Sequence, residues 1–225
     1  MTLSITAKGY DSPAPNVYSH MIAGLAQRSS PLTVLSLDNV AGNGSNFRRK
    51  LLDYVEREGK GDNNTLLSGF RDWVEGNLFT PNTIVDRITP RREGLTVRTE
   101  AHHQFIVEGR HLPGLELFKG VKIVDNIRPY WSAKMMRVNG CHVIVALYGL
   151  LHKLTHVHEV MEDAAGRSLV EMCHSEYVAI LKGTQGASGA KEIADCDFGD
   201  ISDRLSNGTM QDTDGLISLN CPKQR

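Results

Sequence analysis

Residues 32–39 read Leu-Thr-Val-Leu-Ser-Leu-Asp-Asn, and this stretch decides the first half of the fold. Its apolar run has the length of a buried strand, and Asp38-Asn39 ends it with residues that favour turns. Apolar residues at helical spacing precede it over residues 18–28 and follow it over residues 45–58, while residues 3–6 form a strand-like run. The order strand, helix, strand, helix predicts part of an α/β layer with parallel strands.

The pattern changes after Thr89-Pro90. Three short strand candidates come first, at residues 94–99, 103–107 and 121–125. Pro129 then favours the start of a helix. Three apolar helical periods follow, at about residues 130–151, 155–164 and 167–182. The glycine-rich residues 183–189 predict a flexible segment. We therefore expect an α/β domain over residues 1–90 and a mainly α-helical domain over residues 91–225.

Composition argues against several classes of protein. The 225 residues include 25 Lys and Arg against 26 Asp and Glu, a balance that gives no support to nucleic-acid binding. The longest apolar runs, such as residues 143–147, are far shorter than the roughly 18 residues that a membrane span needs. Residues 1–10 lack the basic-then-apolar order of a signal peptide, and the four cysteines form no CxxC pair. We expect a cytoplasmic protein that binds neither nucleic acid nor membrane.

The most informative chemistry lies in residues 134–142, Lys-Met-Met-Arg-Val-Asn-Gly-Cys-His. On an α-helix at roughly 100° per residue, Lys134, His142 and Asn139 fall at about 0°, 80° and 140°, within one arc. A lysine whose pKa is lowered by burial can take a proton from an alcohol. An asparagine can donate a hydrogen bond to the oxyanion that develops. A snorkelling lysine, an asparagine at a kink and a core histidine would give the same spacing.

Three further clusters leave alternatives open. Asp38-Asn39, at the carboxyl end of a strand, lies where open α/β sheets bind ligands, but these residues also form ordinary turns. Asp86-Arg87 is either functional or a structural ion pair. The cluster of His152, His156, His158 and Glu159 resembles a metal site, but Lys153-Leu154-Thr155 indicates a helix break within it. We predict no metal site.

Taken in order, five motifs of this chain resemble those of the long-chain mannitol dehydrogenase family, whose members are polyol dehydrogenases. The matching stretches are residues 6–10 (TAKGY), 34–40 with Asn43-Gly44, 79–90 (FTPNTIVDRITP), 129–142 and 157–163 (VHEVMED). The resemblance covers about residues 1–182 without large gaps. It implies an α/β remnant of a Rossmann-like domain followed by the mainly α-helical domain.

The resemblance also implies a function and roles for single residues. The expected reaction is zinc-independent oxidation, or its reverse, of a secondary alcohol on a sugar alcohol or sugar acid with NAD or NADP. By analogy with the family, Lys134 is the general base, and Asn39 and Asn139 form the oxyanion hole. His142 positions the substrate, and Asp86, together with Asn39, lies on the cofactor side.

The sequence departs from the family in several places. The glycine-rich phosphate turn is absent, and Gly42-Asn43-Gly44 lacks the GxGxxG spacing that would replace it. Trp131 stands where the family has a glutamate, while residues 203–207 (DRLSN) echo the family's D-R-F-S-N. We expect a chain truncated at both ends relative to the family, with a separate nucleotide-binding polypeptide as a possible partner. The alternatives are a non-catalytic polyol-binding remnant and one half of a split dehydrogenase.

Overall fold

The computed structural model describes residues 1–5, 9–10, 15–58, 69–89, 94–109, 119–194 and 197–210. The chain divides into two units, each built from two stretches of sequence. Unit 1 combines Met1–Val85 with Gln104–Ile127, and unit 2 combines Asp86–His103 with Arg128–Arg225. The domain boundary expected between residues 90 and 91 stays a prediction.

Parallel strands form the centre of unit 1. The strands are β1 (Thr2–Leu3), β2 (Leu32–Thr33), β3 (Leu35–Ser36), β4 (Leu78–Phe79), β5 (Thr83–Asp86), β6 (Gln104–Glu108) and β7 (Val121–Val124). β1 pairs with β3, β2 with β4 and β6 with β7, all in parallel. The Val34 N–H donates to the Phe79 carbonyl and the Leu35 N–H to the Met1 carbonyl, both at 2.8 Å. Residues 32–36 therefore form the central extended stretch that their apolar run predicted.

Three helices of unit 1 are described: α1 (Pro15–Leu25), α2 (Asn43–Glu58) and α3 (Phe70–Asn77). The predicted stripe on α2 is confirmed, because Phe47, Leu51 and Val55 are buried in the core of this unit. Residues 63–65 (Asn-Asn-Thr), whose types favour the N-cap of a helix, lie outside the described residues.

The described part of unit 2 is mainly helical. Its helices are α4 (Arg128–Ala133), a π-helix (Lys134–Gly140), α5 (Cys141–His152), α6 (Val157–Glu162), α7 (Ala164–Ala194), α8 (Phe198–Leu205) and a 3₁₀ turn (Gly208–Met210). Cys141, Val145, Val160, Val170 and Ile201 form its core. Pro129 lies in the first turn of α4, as predicted. No helix in the described residues is both long and apolar enough to cross a bilayer.

Three sequence-based expectations for unit 2 were wrong. Residues 134–140 form a π-helix within the continuous helix predicted there. Helix α7 continues to Ala194, past the glycines that predicted a flexible segment, because glycine lowers helix propensity by only about 1 kcal/mol per residue. Residues 94–99 form no strand, and Leu95 is 95% exposed. Their apolar alternation has no described surface to pack on.

Candidate functional site

A buried ion-pair cluster lies in unit 2 around Arg204 of α8. The Arg204 guanidinium binds Asp86 through two contacts of 2.9 and 3.3 Å. It also binds Glu100 through contacts of 3.0 and 2.7 Å. The side chains of Arg204 and Asp86 are each 10% exposed and that of Glu100 is 3% exposed. We call Arg204, Asp86 and Glu100 the Arg204 cluster. It joins residues that lie more than one hundred positions apart in the sequence.

The backbone around Asp86 explains how both carboxylates reach one arginine. Glu100 Oε1 accepts the Ile88 N–H at 2.6 Å, and the Arg87 side chain donates to the Glu100 carbonyl at 3.0 and 3.1 Å. Asp86 and Arg87 do not pair with each other, because successive side chains of an extended strand point to opposite faces. Asp86 therefore forms an ion pair, as one of the two alternatives for Asp86-Arg87 expected, but it pairs with Arg204 and not with Arg87.

Lys134 and His142 share the electrostatic environment of this cluster. Lys134 is 8% exposed, and burial lowers the pKa of its amine, with Asp86 opposing this shift and Arg204 adding to it. Burial and the charge of Arg204 lower the pKa of His142 to about 4, against the opposing charges of Asp86 and Glu100. His142 is therefore a neutral imidazole at pH 7. The condition that makes Lys134 a possible base, a lowered pKa, is present.

The π-helix changes the geometry that we assumed for Lys134 and Asn139. Its hydrogen bonds join residues five apart, so these two residues lie one turn above each other. Lys134 and Asn139 therefore share a face because the turn of a π-helix is wider, and not because of α-helical spacing. The Asn139 amide donates to the sulfur of Met135 at 3.3 Å, a weak acceptor that an alcohol oxygen can replace. At Gly140 a Cβ would lie 2.8 Å from the Tyr177 ring, so only glycine allows α7 this approach.

Asn39 belongs to unit 1, where it follows β3 and is exposed. Its neighbour Asp38 is buried and structural, since it accepts the Ile5 N–H at 2.9 Å and the Tyr10 hydroxyl at 2.8 Å. Asn39 and Asn139 lie in different units. Their joint oxyanion hole therefore stays a prediction, as does a cofactor contact by Asn39 or Asp86.

Asn43 joins the carboxyl end of β3 to the start of β5 in unit 1. Its fully buried amide donates to the carbonyls of Ser36, Asp38 and Thr83 at 3.0–3.2 Å and accepts the Thr83 N–H at 2.9 Å. A Cβ on Gly44 would overlap the Thr80 and Pro81 carbonyls, so this glycine serves packing. Gly42-Asn43-Gly44 therefore offers no backbone cradle to an anion. This tripeptide does not replace the glycine turn that holds the pyrophosphate of a dinucleotide.

The histidine cluster considered as a metal site has another role. Glu159 accepts the backbone N–H groups of Thr155 and His156 at 2.7 and 2.8 Å, which caps the N-terminus of α6. His152 stacks on Tyr148, with ring centroids 4.1 Å apart. Within the described ranges, no group of three or more such side chains could hold a metal ion.

A groove of about 800 Å³ lies in unit 1, and no predicted site residue lines it. Arginines and carboxylates alternate along it, and they pair with each other, as Arg49 does with Asp53 at 3.5 Å and Arg71 with Glu75 at 3.8 Å. A groove whose charges already pair has no evident preference for an ionic ligand. We assign it no role.

Our sequence reasoning missed Arg204 and Glu100 as members of the site. The DRLSN stretch at residues 203–207 was the only signal for Arg204, and it named no partner. No motif singled out Glu100. A pairing across more than one hundred residues is a property of the folded chain that spacing in a single sequence does not reveal.

Two family models match the chain. The mannitol dehydrogenase Rossmann domain matches residues 1–117, and the mannitol dehydrogenase C-terminal domain matches residues 126–221. The mannitol 2-dehydrogenase of Pyrenophora tritici-repentis is 30% identical across 90% of this chain and 38% of its own length. The D-arabinitol 4-dehydrogenase of Ralstonia nicotianae is 32% identical across 66% of this chain and 35% of its own length.

Solved structures agree with the family models. A Pseudomonas fluorescens mannitol 2-dehydrogenase, in a ternary complex with NAD and D-mannitol, superposes with a TM-score of 0.66 at 25% identity, over 96% of this chain and 50% of that one. A substrate-free D-sorbitol dehydrogenase, at 22% identity and a TM-score of 0.75, supports the fold alone. The chain spans less than half the length of the curated relatives named above. The expected fold class, part of a Rossmann-like α/β domain followed by a helical domain, is confirmed, and the chain belongs to the mannitol dehydrogenase family.

Proposed function

We propose that this chain carries the substrate-binding and proton-transfer residues of a polyol oxidoreductase. The substrate is a secondary alcohol of a sugar alcohol or sugar acid, and the cofactor is NAD or NADP. Family membership and the relatives named for mannitol and D-arabinitol support this proposal, as does the neighbour in complex with NAD and D-mannitol. The cytoplasmic location expected from the sequence stays a prediction.

The observation that carries the proposal is the burial of Lys134 beside the Arg204 cluster. Burial lowers the pKa of the Lys134 amine, which favours the neutral form that can take the hydroxyl proton of the substrate. In the proposed reaction, the amides of Asn139 and Asn39 donate to the alkoxide as it forms. The neutral imidazole of His142 then orients the alcohol by a hydrogen bond.

Of the proposed function, cofactor binding is the part for which the described residues give the least support. Because the sequence has no GxGxxG and Gly42-Asn43-Gly44 does not replace it, we propose that the phosphate contacts come from a nucleotide-binding polypeptide outside the described residues. Asp86 is our candidate for the cofactor side. The residues named above account for the proton and the alkoxide only.

A second candidate function is polyol binding without turnover. Trp131 favours it, because this residue replaces a glutamate that the resemblance assigns to the family. Calorimetry with D-mannitol and D-arabinitol distinguishes the two functions. Binding without NAD(P)-linked oxidation, when a nucleotide-binding domain is supplied, would favour the second.

The experiment that tests the proposal compares polyol oxidation by the parent chain, Lys134→Ala and His142→Ala, each with a supplied nucleotide-binding domain. We expect Lys134→Ala to reduce turnover by about 10²–10⁴-fold, since it removes the group that takes the proton. His142→Ala should reduce turnover less, because water and neighbouring groups replace part of an orienting contact. Lys182→Ala is the control, an exposed lysine on α7. Equal turnover for Lys134→Ala and the parent would refute the assignment.

A further inference from the structure

A buried hydrogen bond joins the middle of the π-helix to α7. Arg137 of the π-helix donates its Nε–H to Nε2 of His174 at 3.2 Å. The two residues are 8% and 4% exposed. Arg137 also donates through Nη2 to the carbonyl of Asp197, the residue before α8, at 3.4 Å. One side chain therefore connects the π-helix to both α7 and the start of α8.

The imidazole of His174 is in the form that accepts this hydrogen bond. Burial, followed by the positive charge of Arg137, lowers its pKa, and the charges of Asp197 and Glu171 oppose this shift. The ring is therefore neutral at pH 7, and the lone pair of Nε2 accepts the Arg137 N–H. The Phe198 ring of α8 packs against the imidazole, with ring centroids 5.4 Å apart.

We expect the rare, wider turn of a π-helix to depend on contacts from neighbouring elements. Its last residue, Gly140, lies so close to Tyr177 of α7 that a Cβ would come within 2.8 Å of the ring. In its middle, Arg137 supplies the contacts to His174 and Asp197. Packing alone does not explain an arginine in this place, because a buried guanidinium is costly to desolvate and an apolar side chain would fill the space.

The turn of this segment decides which residues share a face. In the π-helix, Lys134 lies one turn before Asn139. In an α-helix these two residues would be about 140° apart, and Met135 would lie about one turn before Asn139. Met135 would then take the buried place of Lys134, and Lys134 would move to the half-buried place of Ala133.

We propose that Arg137 and His174 are positioning residues: their hydrogen bond holds the wide turn of the π-helix, and this turn keeps Lys134 and Asn139 on one face. The inference rests on the proposed function for its meaning in catalysis. Its structural part concerns which of Lys134 and Met135 is buried, and it is measured without turnover.

Three variants separate this role from a contribution to stability alone. His174→Leu removes the acceptor, while His174→Gln keeps an acceptor near the position of Nε2. The double variant Arg137→Leu/His174→Leu replaces both partners by apolar side chains, a change that can leave stability nearly unaltered. If the pair only stabilises the core, the double variant should keep the parent's burial pattern and turnover.

The experiment labels lysines with acetic anhydride and oxidises methionines with hydrogen peroxide, and mass spectrometry reads both. The exposed residues Lys182 and Met172 on α7 are the internal references. In His174→Leu and in the double variant, labelling of Lys134 should rise towards that of Lys182, while oxidation of Met135, now 37% exposed, should fall. His174→Gln should resemble the parent, as should the control Ser175→Ala, at an exposed neighbour of His174.

The opposite signs at Lys134 and Met135 are decisive, because a loosened fold would raise the reactivity of both. Near-ultraviolet circular dichroism checks folding, and if His174→Leu does not fold, the double variant decides. Unchanged reactivity of Lys134 in the double variant, or a rise at both residues, overturns the inference.

Turnover gives the second measurement, with a nucleotide-binding domain supplied. The kcat of the double variant should fall by about 10²-fold with little change in KM, because misplaced groups act mainly in the transition state. Parent-like kcat in the double variant, when Lys134→Ala has lost turnover, also overturns the inference. Opposite shifts at Lys134 and Met135 together with full turnover in Lys134→Ala keep the structural inference and remove the proposed function.

Discussion

Two buried polar networks, one in each unit, satisfy their hydrogen bonds in different ways. Asn43 in unit 1 is a neutral amide whose partners are mostly backbone groups of adjoining strands. Arg204 in unit 2 binds two ionised side chains, with Lys134 and His142 in the same field. The first network has no charge that changes with pH. The second perturbs the protonation of its neighbours.

We propose that this difference separates a scaffold from the candidate site. A neutral amide that hydrogen-bonds to backbone groups fixes the geometry of the strand ends. It carries no charge that could shift the pKa of a neighbouring group. A buried pair of charges is costly to desolvate and stabilises a fold less than its contacts suggest. Perturbed titration next to such pairs is more common where proton transfer occurs. Variants in the two networks should therefore differ in how much stability they lose and in how that loss depends on pH.

Arg204→Met should lower the free energy of unfolding by about 3–5 kcal/mol, because it leaves two buried carboxylates without a counter-ion. Denaturant unfolding at pH 7 measures this loss. The matched control is Arg49→Met, whose pair with Asp53 is exposed and should contribute less than about 1 kcal/mol. Similar losses in the two variants would contradict the burial of the Arg204 cluster.

Asn43→Ala should lower the free energy of unfolding by about 2–3 kcal/mol, since the buried backbone groups of Ser36, Asp38 and Thr83 lose their partner. The loss should be the same at pH 5 and pH 8, because no ionised group is removed. Asn46→Ala, on the same helix with only Arg49 as a side-chain partner, is the control. A loss that changes with pH would mean that the Asn43 network is coupled to a titrating group.

His142 should make stability depend on pH in the acid range. Its folded pKa of about 4 lies below the ordinary value of 6.5, so the unfolded chain binds the proton first as the pH falls. The stabilisation is therefore complete above about pH 6.5 and is lost as the pH falls towards 4. We expect this loss to be about 2 kcal/mol, after discounting for the partial exposure of His142.

Thermal unfolding of the parent and His142→Gln between pH 4 and pH 7.5 measures this contribution. As the pH falls from about 6.5 towards 4, the parent should lose stability relative to His142→Gln. His103→Gln, at an exposed histidine, is the control. Parallel curves for the parent and His142→Gln would contradict the burial of the imidazole.

Binding of NAD(H) to the isolated chain should be weak, and it is the smallest of the expected effects. Dinucleotide affinity depends largely on a glycine turn and a helix N-terminus that hold the pyrophosphate. The sequence has no GxGxxG, and Gly44 is used for packing. We expect a Kd weaker than about 1 mM by calorimetry. Micromolar binding would contradict this expectation, because residues that we assign to the scaffold would then bind the cofactor.

Sequence patterns predicted those parts of the fold that depend on local periodicity. The buried stretch before Asp38-Asn39, the apolar stripe of α2 and the helix start at Pro129 were all found. The π-helix was missed, because apolar spacing does not distinguish a wider helical turn over seven residues. The extension of α7 was missed, because its helical hydrogen bonds outweigh the weak preferences of single glycines.

The candidate site was only partly accessible from the sequence. Lys134, Asn139 and His142 lie close in sequence, so their grouping followed from one motif. Arg204 and Glu100 lie far along the chain from this motif, and only folding brings the charge of Arg204 to Lys134 and the charges of both to His142. The motif names the candidate groups, and the long-range pairs are needed to describe their electrostatic environment.

Rescue of Lys134→Ala by small external amines tests the role of Lys134 as a base most directly. The substitution removes a buried side chain and leaves space for methylamine or ethylamine. We predict that polyol oxidation by Lys134→Ala, with a supplied nucleotide-binding domain, rises with the concentration of the free amine base, while His142→Ala shows no such rise. Parent-like turnover of Lys134→Ala without amine, or equal amine dependence in both variants, would contradict the account.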